Sequence, residues 1–105
     1  MLLMKRYKKI YLEYFGYGEQ DHISSEYSGL PAVDIHHLIF RSHGGPDKIW
    51  NLMALTRDEH EKADKDTKFN AELKEKHIQH LQIYGFKWTK ELLQTLRQTN
   101  YNRNK

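Results

Sequence analysis

Five residues of this 105-residue chain, His36, His37, Asn51, His60 and Asp64, have types and spacings that could do chemistry on a phosphate. They stand as H-H-x13-N-x8-H-x3-D. If the last two lie on a helix, they are i and i+4, stacked on one face about 6 Å apart, close enough for one imidazole and one carboxylate to share a cation. His36 is then expected as the third ligand. Three protein ligands leave positions for water and a substrate oxygen, as catalytic metals require and closed structural sites do not. His37 has a separate expected task. An imidazole with an ordinary pKa near ~6.5 can take a proton from water close to neutral pH, which makes it the candidate general base. Asn51 is expected to brace a hairpin or to orient His37.

The elements that must position these side chains can be read from the flanking pattern. The run Ala32 to Phe40, AVDIHHLIF, is rich in branched and aromatic residues and predicts a strand. Gly44, Gly45, Pro46 and Asp47 then signal a turn before the short apolar run IWNLMAL, so a hairpin with a long loop is expected. Thr56 and Glu59 have the spacing of a capping box and predict a helix start just before His60. Strict strand alternation would send His36 and His37 to opposite faces. The strand must therefore bend or end at this pair if both are to serve one phosphate. Outside this core, Tyr7, Ile10, Tyr11 and Tyr14 have helical spacing and predict an N-terminal helix over about 4–15, ended by Gly16. Helical composition also runs over about 67–84, where Phe69, Leu73, His77, Leu81 and Tyr84 form the expected apolar face, with Asp64, Asp66, Thr67 and Asn70 marking a break before it. A last helix is expected over about 89–99, capped by Thr89 with Trp88 stapled against Leu93, followed by a basic tail over 100–105.

From Val33 to Asp64 the residues resemble the HNH family, the His-Me finger or ββα-metal nucleases, through the D-I-H-H strand, the G-G turn, the N-L pair and the helical histidine. The resemblance implies a single α+β domain over 1–105, a ββα-metal core at about 32–66 with added N-terminal and C-terminal helices. It also implies a metal-dependent phosphodiesterase giving 5'-phosphate products. In it His37 activates water, His36 and His60 contact the metal, and Asn51 supports the base or the metal shell. Two departures are visible. The fourth position, often histidine or asparagine, is Asp64; two imidazoles and a carboxylate suit manganese and magnesium as well as the zinc or nickel that three imidazoles favour, so one divalent ion of open identity (Mg, Mn, Ni or Zn) is expected. The paired C-x-x-C knuckles of many HNH proteins are replaced by Ser25-Glu26-Tyr27-Ser28 and Thr56-Arg57-Asp58-Glu59, and neither can bind a structural zinc. The Thr56/Glu59 box is expected to hold the helix start in their stead.

Composition bounds the remaining possibilities. With no cysteine, disulfides, thiol catalysis and cysteine-bound zinc are excluded. Charged residues make up 30% and no apolar run approaches the roughly 20 residues of a membrane span. Met1-Leu2-Leu3-Met4 precedes Lys5, Arg6, Lys8 and Lys9, the reverse of a secretory signal, so a cytoplasmic setting in a bacterial or phage-infected cell is expected. A net charge of +3 permits a phosphate backbone as partner without demanding one. Arg41 and Lys48 flank the loop and are the candidate phosphate clamps, solvated or hairpin-stabilising charge being the alternative. Lys5, Arg6, Lys8 and Lys9 lie mostly off the apolar stripe of the helix and read first as a solvated face, contact with a phosphate backbone being the alternative. His22, His77 and His80 read as ordinary solvated or hydrogen-bonded histidines, and Asp34 as an orienter of His36 or an exposed strand residue. The expected function is an endonuclease acting on double-stranded DNA, as a monomer or homodimer. The alternative is a non-catalytic, metal-stabilised DNA-binding or phage packaging accessory module.

Overall fold

Aromatic and aliphatic side chains at helical spacing fold α1, Arg6–Phe15, in a computed structural model that describes residues 4–98. Gly16, at φ 76°, ends it as expected and returns its N–H to Glu13. Among the described residues the chain continues as β1 (Asp34–His37), β2 (Leu52–Leu55), α2 (Arg57–Lys65), α3 (Thr67–Ile83) and α4 (Lys90–Arg97), a small α+β domain with four helices and a two-stranded antiparallel sheet. None of these helices is long and apolar enough to cross a membrane. The tail 100–105 and the expected helix end at 99 lie outside the described residues.

Asp34 pairs with Leu55, Ile35 with Ala54, His36 with Met53 and His37 with Leu52. Ile35, Leu52 and Ala54 pack with Tyr11 against α1, while Met53 and Leu55 pack with Leu38, Ala63, Phe69, Leu73 and Leu96 against the other helices. Both faces of the sheet are thus covered, which removes the polar-out alternation of a half-exposed strand. β1 is shorter than the expected run over 32–40. Its pairing stops because the Asn51 amide takes over the backbone of Ile39: Oδ1 accepts from Ile39 N at 2.6 Å, and Nδ2 donates to Ile39 O and Pro46 O at 3.1 Å. Gly45 packs on the same carbonyl, and a Cβ there would collide with Ile39 O and touch Asn51 Nδ2. Gly45→Ala is therefore expected to lower stability by about 3 kcal/mol, read from denaturant midpoints. A midpoint equal to wild type would show that the loop yields freely.

α2 starts on the expected capping box. Thr56 Oγ1 accepts from Glu59 N, and Glu59 Oε1 accepts from Thr56 N at 2.9 Å. Ser25 Oγ also donates to Glu59 Oε1 at 2.5 Å while accepting from Tyr27 N and Ser28 N. The two cysteine-free tetrapeptides therefore do meet, joined by hydrogen bonds. Burial pulls the Glu59 pKa up, but hydrogen bonds from Ser25, Ser28 and Thr56 outweigh it and hold the carboxyl below its usual range. Asp66 caps α3 by accepting from Phe69 N, the expected break between two helices. Phe69, Leu73, His77 and Leu81 are buried on α3, whereas Tyr84 lies just past its end and is 55% exposed. His77 is neither solvated nor free. It joins Glu26 Oε1 at 2.7 Å and Ile49 O at 2.9 Å, and Tyr11 donates to Glu26 Oε2, so one buried carboxylate ties α1 to α3.

α4 is held by Trp88 and Leu93 against the larger core cluster and by Lys74, which donates to Gln98 O at 2.5 Å. Burial lowers the Lys74 ammonium from 10.5 to about 8. Between these values the unfolded chain holds the proton and the folded chain does not, so this residue makes stability rise with pH. The thermal midpoint of wild type, measured relative to Lys74→Met, is expected to climb between about pH 7 and about pH 10. A flat or falling difference would refute the assignment.

Candidate active site and metal centre

The outer edge of β1 pairs with no strand among the described residues, and a cavity of about 460 Å³ lies along it. Tyr7 of α1, Ile35, His36 and His37 of β1, Phe40, Arg41 and Ser42 of the following loop, and His60 and Asp64 of α2 line it. Alternation does send His36 towards α2 and α3 and His37 towards α1. The strand ends at this pair, and a cavity that wraps a free edge is reached from both faces.

One ligand atom each from His36, His60 and Asp64 lies within 4.8 Å of the others. Two neighbouring side chains decide which imidazole nitrogens are lone pairs. Asn70 Nδ2 donates to Leu38 O at 2.9 Å, which turns Asn70 Oδ1 towards His36 Nε2 at 2.8 Å. An amide oxygen only accepts, so Nε2 carries the proton and Nδ1 is left to bind a cation. Burial lowers the His36 pKa to about 4, keeping the ring neutral as a ligand must be. Asp34 Oδ2 accepts from His60 Nδ1 at 3.0 Å, leaving His60 Nε2 as its lone pair, 3.9 Å from Asp64 Oδ2. Asp34 therefore orients His60, not His36 as the sequence suggested. Arg57 holds this carboxylate bidentately, at 2.6 and 3.0 Å, and chiefly for that reason its pKa lies below the usual range. Two imidazoles and a half-exposed carboxylate make a donor set that fits a divalent ion of borderline hardness.

His37 is 8% exposed, and its Nε2 meets Asp47 Oδ1 at 2.8 Å. The carboxylate accepts, so Nδ1 is the basic nitrogen. Burial is the main cause that lowers the His37 pKa, despite Asp47, and the ring is unprotonated at neutral pH. Tyr7 packs edge-on against it, ring centroids 4.8 Å apart, and the Arg41 guanidinium lies 5.7 Å from the same Tyr7 ring.

His36, His37, His60, Asp64 and Arg41 are thus brought together. Asn51 and Lys48 are not. Asn51 is fully buried and spends its amide on Ile39 and Pro46, so it braces the hairpin loop, the first of the two roles expected of it, and neither orients His37 nor stands among the catalytic groups. Lys48 is exposed and does not line the cavity, which removes the geometric ground for a clamp at the reacting phosphate. Sequence reasoning missed Asp47, Asn70 and Tyr7 as site residues. Asp47 reads as turn chemistry, Asn70 as a helix cap and Tyr7 as core; only an unpaired hydrogen-bonding need of each histidine could have pointed to the first two. Comparison of the chain with protein-family models, with curated proteins and with solved structures finds no match.

Proposed function

We propose that this protein is a metal-dependent endonuclease whose β1, β2 and α2 form a ββα-metal core, and that it hydrolyses phosphodiester bonds in DNA. The observation that carries the reading is the trio of ligand atoms from His36, His60 and Asp64 within 4.8 Å, in the same cavity as a neutral, carboxylate-oriented His37. His36 Nδ1, His60 Nε2 and an Asp64 oxygen would hold one divalent cation, which when bound supplies positive charge for a phosphate oxygen and the departing 3'-oxygen. His37 Nδ1 accepts a proton from water, the water oxygen bonds to phosphorus in line, and the bond to the 3'-oxygen breaks, that oxygen taking a proton from solvent, to leave a 5'-phosphate and a 3'-hydroxyl. Asp47 steadies the imidazolium that results. Arg41 offers a guanidinium to a non-bridging oxygen.

Plasmid relaxation tests this directly. Cleavage is expected to stop with chelator and to return when manganese, magnesium, nickel or zinc is supplied, with 5'-phosphate ends. Stoichiometric cation binding and DNA binding without any nicking would instead support the non-catalytic, metal-stabilised DNA-binding module.

A further inference from the structure

Resting on the endonuclease reading, we infer that Tyr7 is a positioning residue of this site: its ring, braced by α1, sets the placement of the base His37 and of the Arg41 guanidinium relative to each other. His37 needs such a support. Asp47 fixes the proton on Nε2, but one hydrogen bond leaves the imidazole free to swing about it, and the χ2 torsion of histidine is broad. Packing must stop the swing. β1 sends His37 towards α1, where the Tyr7 ring meets it at 74° with centroids 4.8 Å apart, an edge-to-face contact that holds for few orientations of the imidazole. The same ring serves the loop. Arg41 is exposed and forms no ion pair among the described residues, and its guanidinium rests on Tyr7, 5.7 Å from the ring centroid.

Tyr7 can fix two other side chains because it is itself fixed. It packs against the cluster of Tyr11, Ile35, Leu52 and Ala54. Tyr11 lies one helical turn further along the same face of α1 and donates to Glu26, the buried carboxylate that also holds His77 of α3. The ring therefore stands on a helix tied to the rest of the domain, and a helix places a side chain more precisely than a loop does. Arg41 and Asp47 both belong to the connection between β1 and β2, so the base is held from the loop by Asp47 and from the helix by Tyr7. The Tyr7 hydroxyl has no hydrogen-bond partner among the described residues, which leaves the aromatic body as the working part. Tyr7 gives no atom to the cluster of His36, His60 and Asp64, so its loss acts on the base and the guanidinium and spares the cation.

Cleavage of supercoiled plasmid under saturating manganese compares wild type with Tyr7→Leu, Tyr7→Phe and Ile10→Ala, with Tyr7→Met in place of the first should leucine leave the helix undocked. Ile10 packs on the same cluster from α1 without lining the cavity, so it reports what lost packing does alone. Tyr7→Leu is expected to lower kcat between about 10- and 100-fold, the scale of a misplacement approaching about 1 Å, with the calorimetric affinity for manganese unchanged. Tyr7→Phe is expected to keep the wild-type kcat, and Ile10→Ala to keep it while lowering the thermal midpoint. Adding Arg41→Gln to Tyr7→Leu is expected to cost less than the product of the two single effects, because the guanidinium has already lost its support. A folded Tyr7→Leu protein with the kcat of Ile10→Ala would overturn the inference, as would a Tyr7→Phe protein as slow as Tyr7→Leu or strict additivity with Arg41→Gln. Wild type that nicks nothing with any cation would overturn the endonuclease reading instead. The hold of Tyr7 on His37 is then read from the imidazole proton resonances, which are expected to move in Tyr7→Leu and to stay in Tyr7→Phe; no movement in Tyr7→Leu would overturn it.

Discussion

His37→Ala is expected to lower the rate of plasmid cleavage about 10³-fold while leaving cation affinity intact. The two effects separate because His37 donates no atom to the cluster of His36, His60 and Asp64, and its ring is engaged with Asp47 and Tyr7 instead. Asp47→Asn is the sharper variant. A carboxylate can only accept, which fixes the proton on His37 Nε2; an amide can present its NH₂ and so favour the other tautomer, with Nδ1 protonated and useless as a base. A drop of about 10²-fold in kcat with KM little changed is expected, measured on supercoiled plasmid under saturating cation. Equal rates for wild type and His37→Ala would remove the general base from the proposed chemistry. An Asp47→Asn protein as active as wild type would show that Asp47 supports only the loop.

The cation itself is the second large lever. A ligand that binds only the folded chain stabilises it by about 2.7 kcal/mol at one hundred times its dissociation constant. Addition of manganese or zinc is therefore expected to raise the thermal midpoint of wild type by several degrees. The rise should vanish in His36→Ala and His60→Ala, each of which removes one of three ligands. Asp34→Asn and Asn70→Ala keep all three but lose the groups that aim the imidazoles, and calorimetric titration is expected to show affinity weakened about 10- to 100-fold. A midpoint shift that persists in His60→Ala would place the cation elsewhere. Loss of the shift in Asp34→Asn alone would indicate that Arg57 and His60 depend on that carboxylate for their arrangement as well as for orientation.

Much of the scaffold was legible in local pattern. The helices announce themselves by spacing and caps: Gly16 closes α1, Thr56 with Glu59 opens α2, Asp66 separates α2 from α3, and Thr89 opens α4 by accepting from Leu92 N. These are interactions within four residues, and their free energies depend on little beyond the chain that makes them. The strand was less legible in extent. Composition extends β1 to Phe40, but a side-chain amide twelve residues away displaces sheet pairing at Ile39. Of the two roles expected of Asn51, hairpin brace and orienter of His37, the structure has the brace, its amide being consumed by the backbone. Its neighbour in function, Gly45, looked like generic turn composition and is instead demanded by the approach of one carbonyl.

What the amino-acid sequence determined by itself is the set of reactive groups and the local elements that carry them: two adjacent imidazoles on a strand, and a third imidazole one helical turn from a carboxylate. What only the tertiary structure decided is which nitrogen of each ring is free. Asn70 for His36, Asp34 for His60 and Asp47 for His37 lie 34, 26 and 10 residues away along the chain. Type and spacing report what a side chain can do. The hydrogen bond on its far nitrogen, made by a residue brought near only by packing, fixes which of its two nitrogens can bind an ion or take a proton.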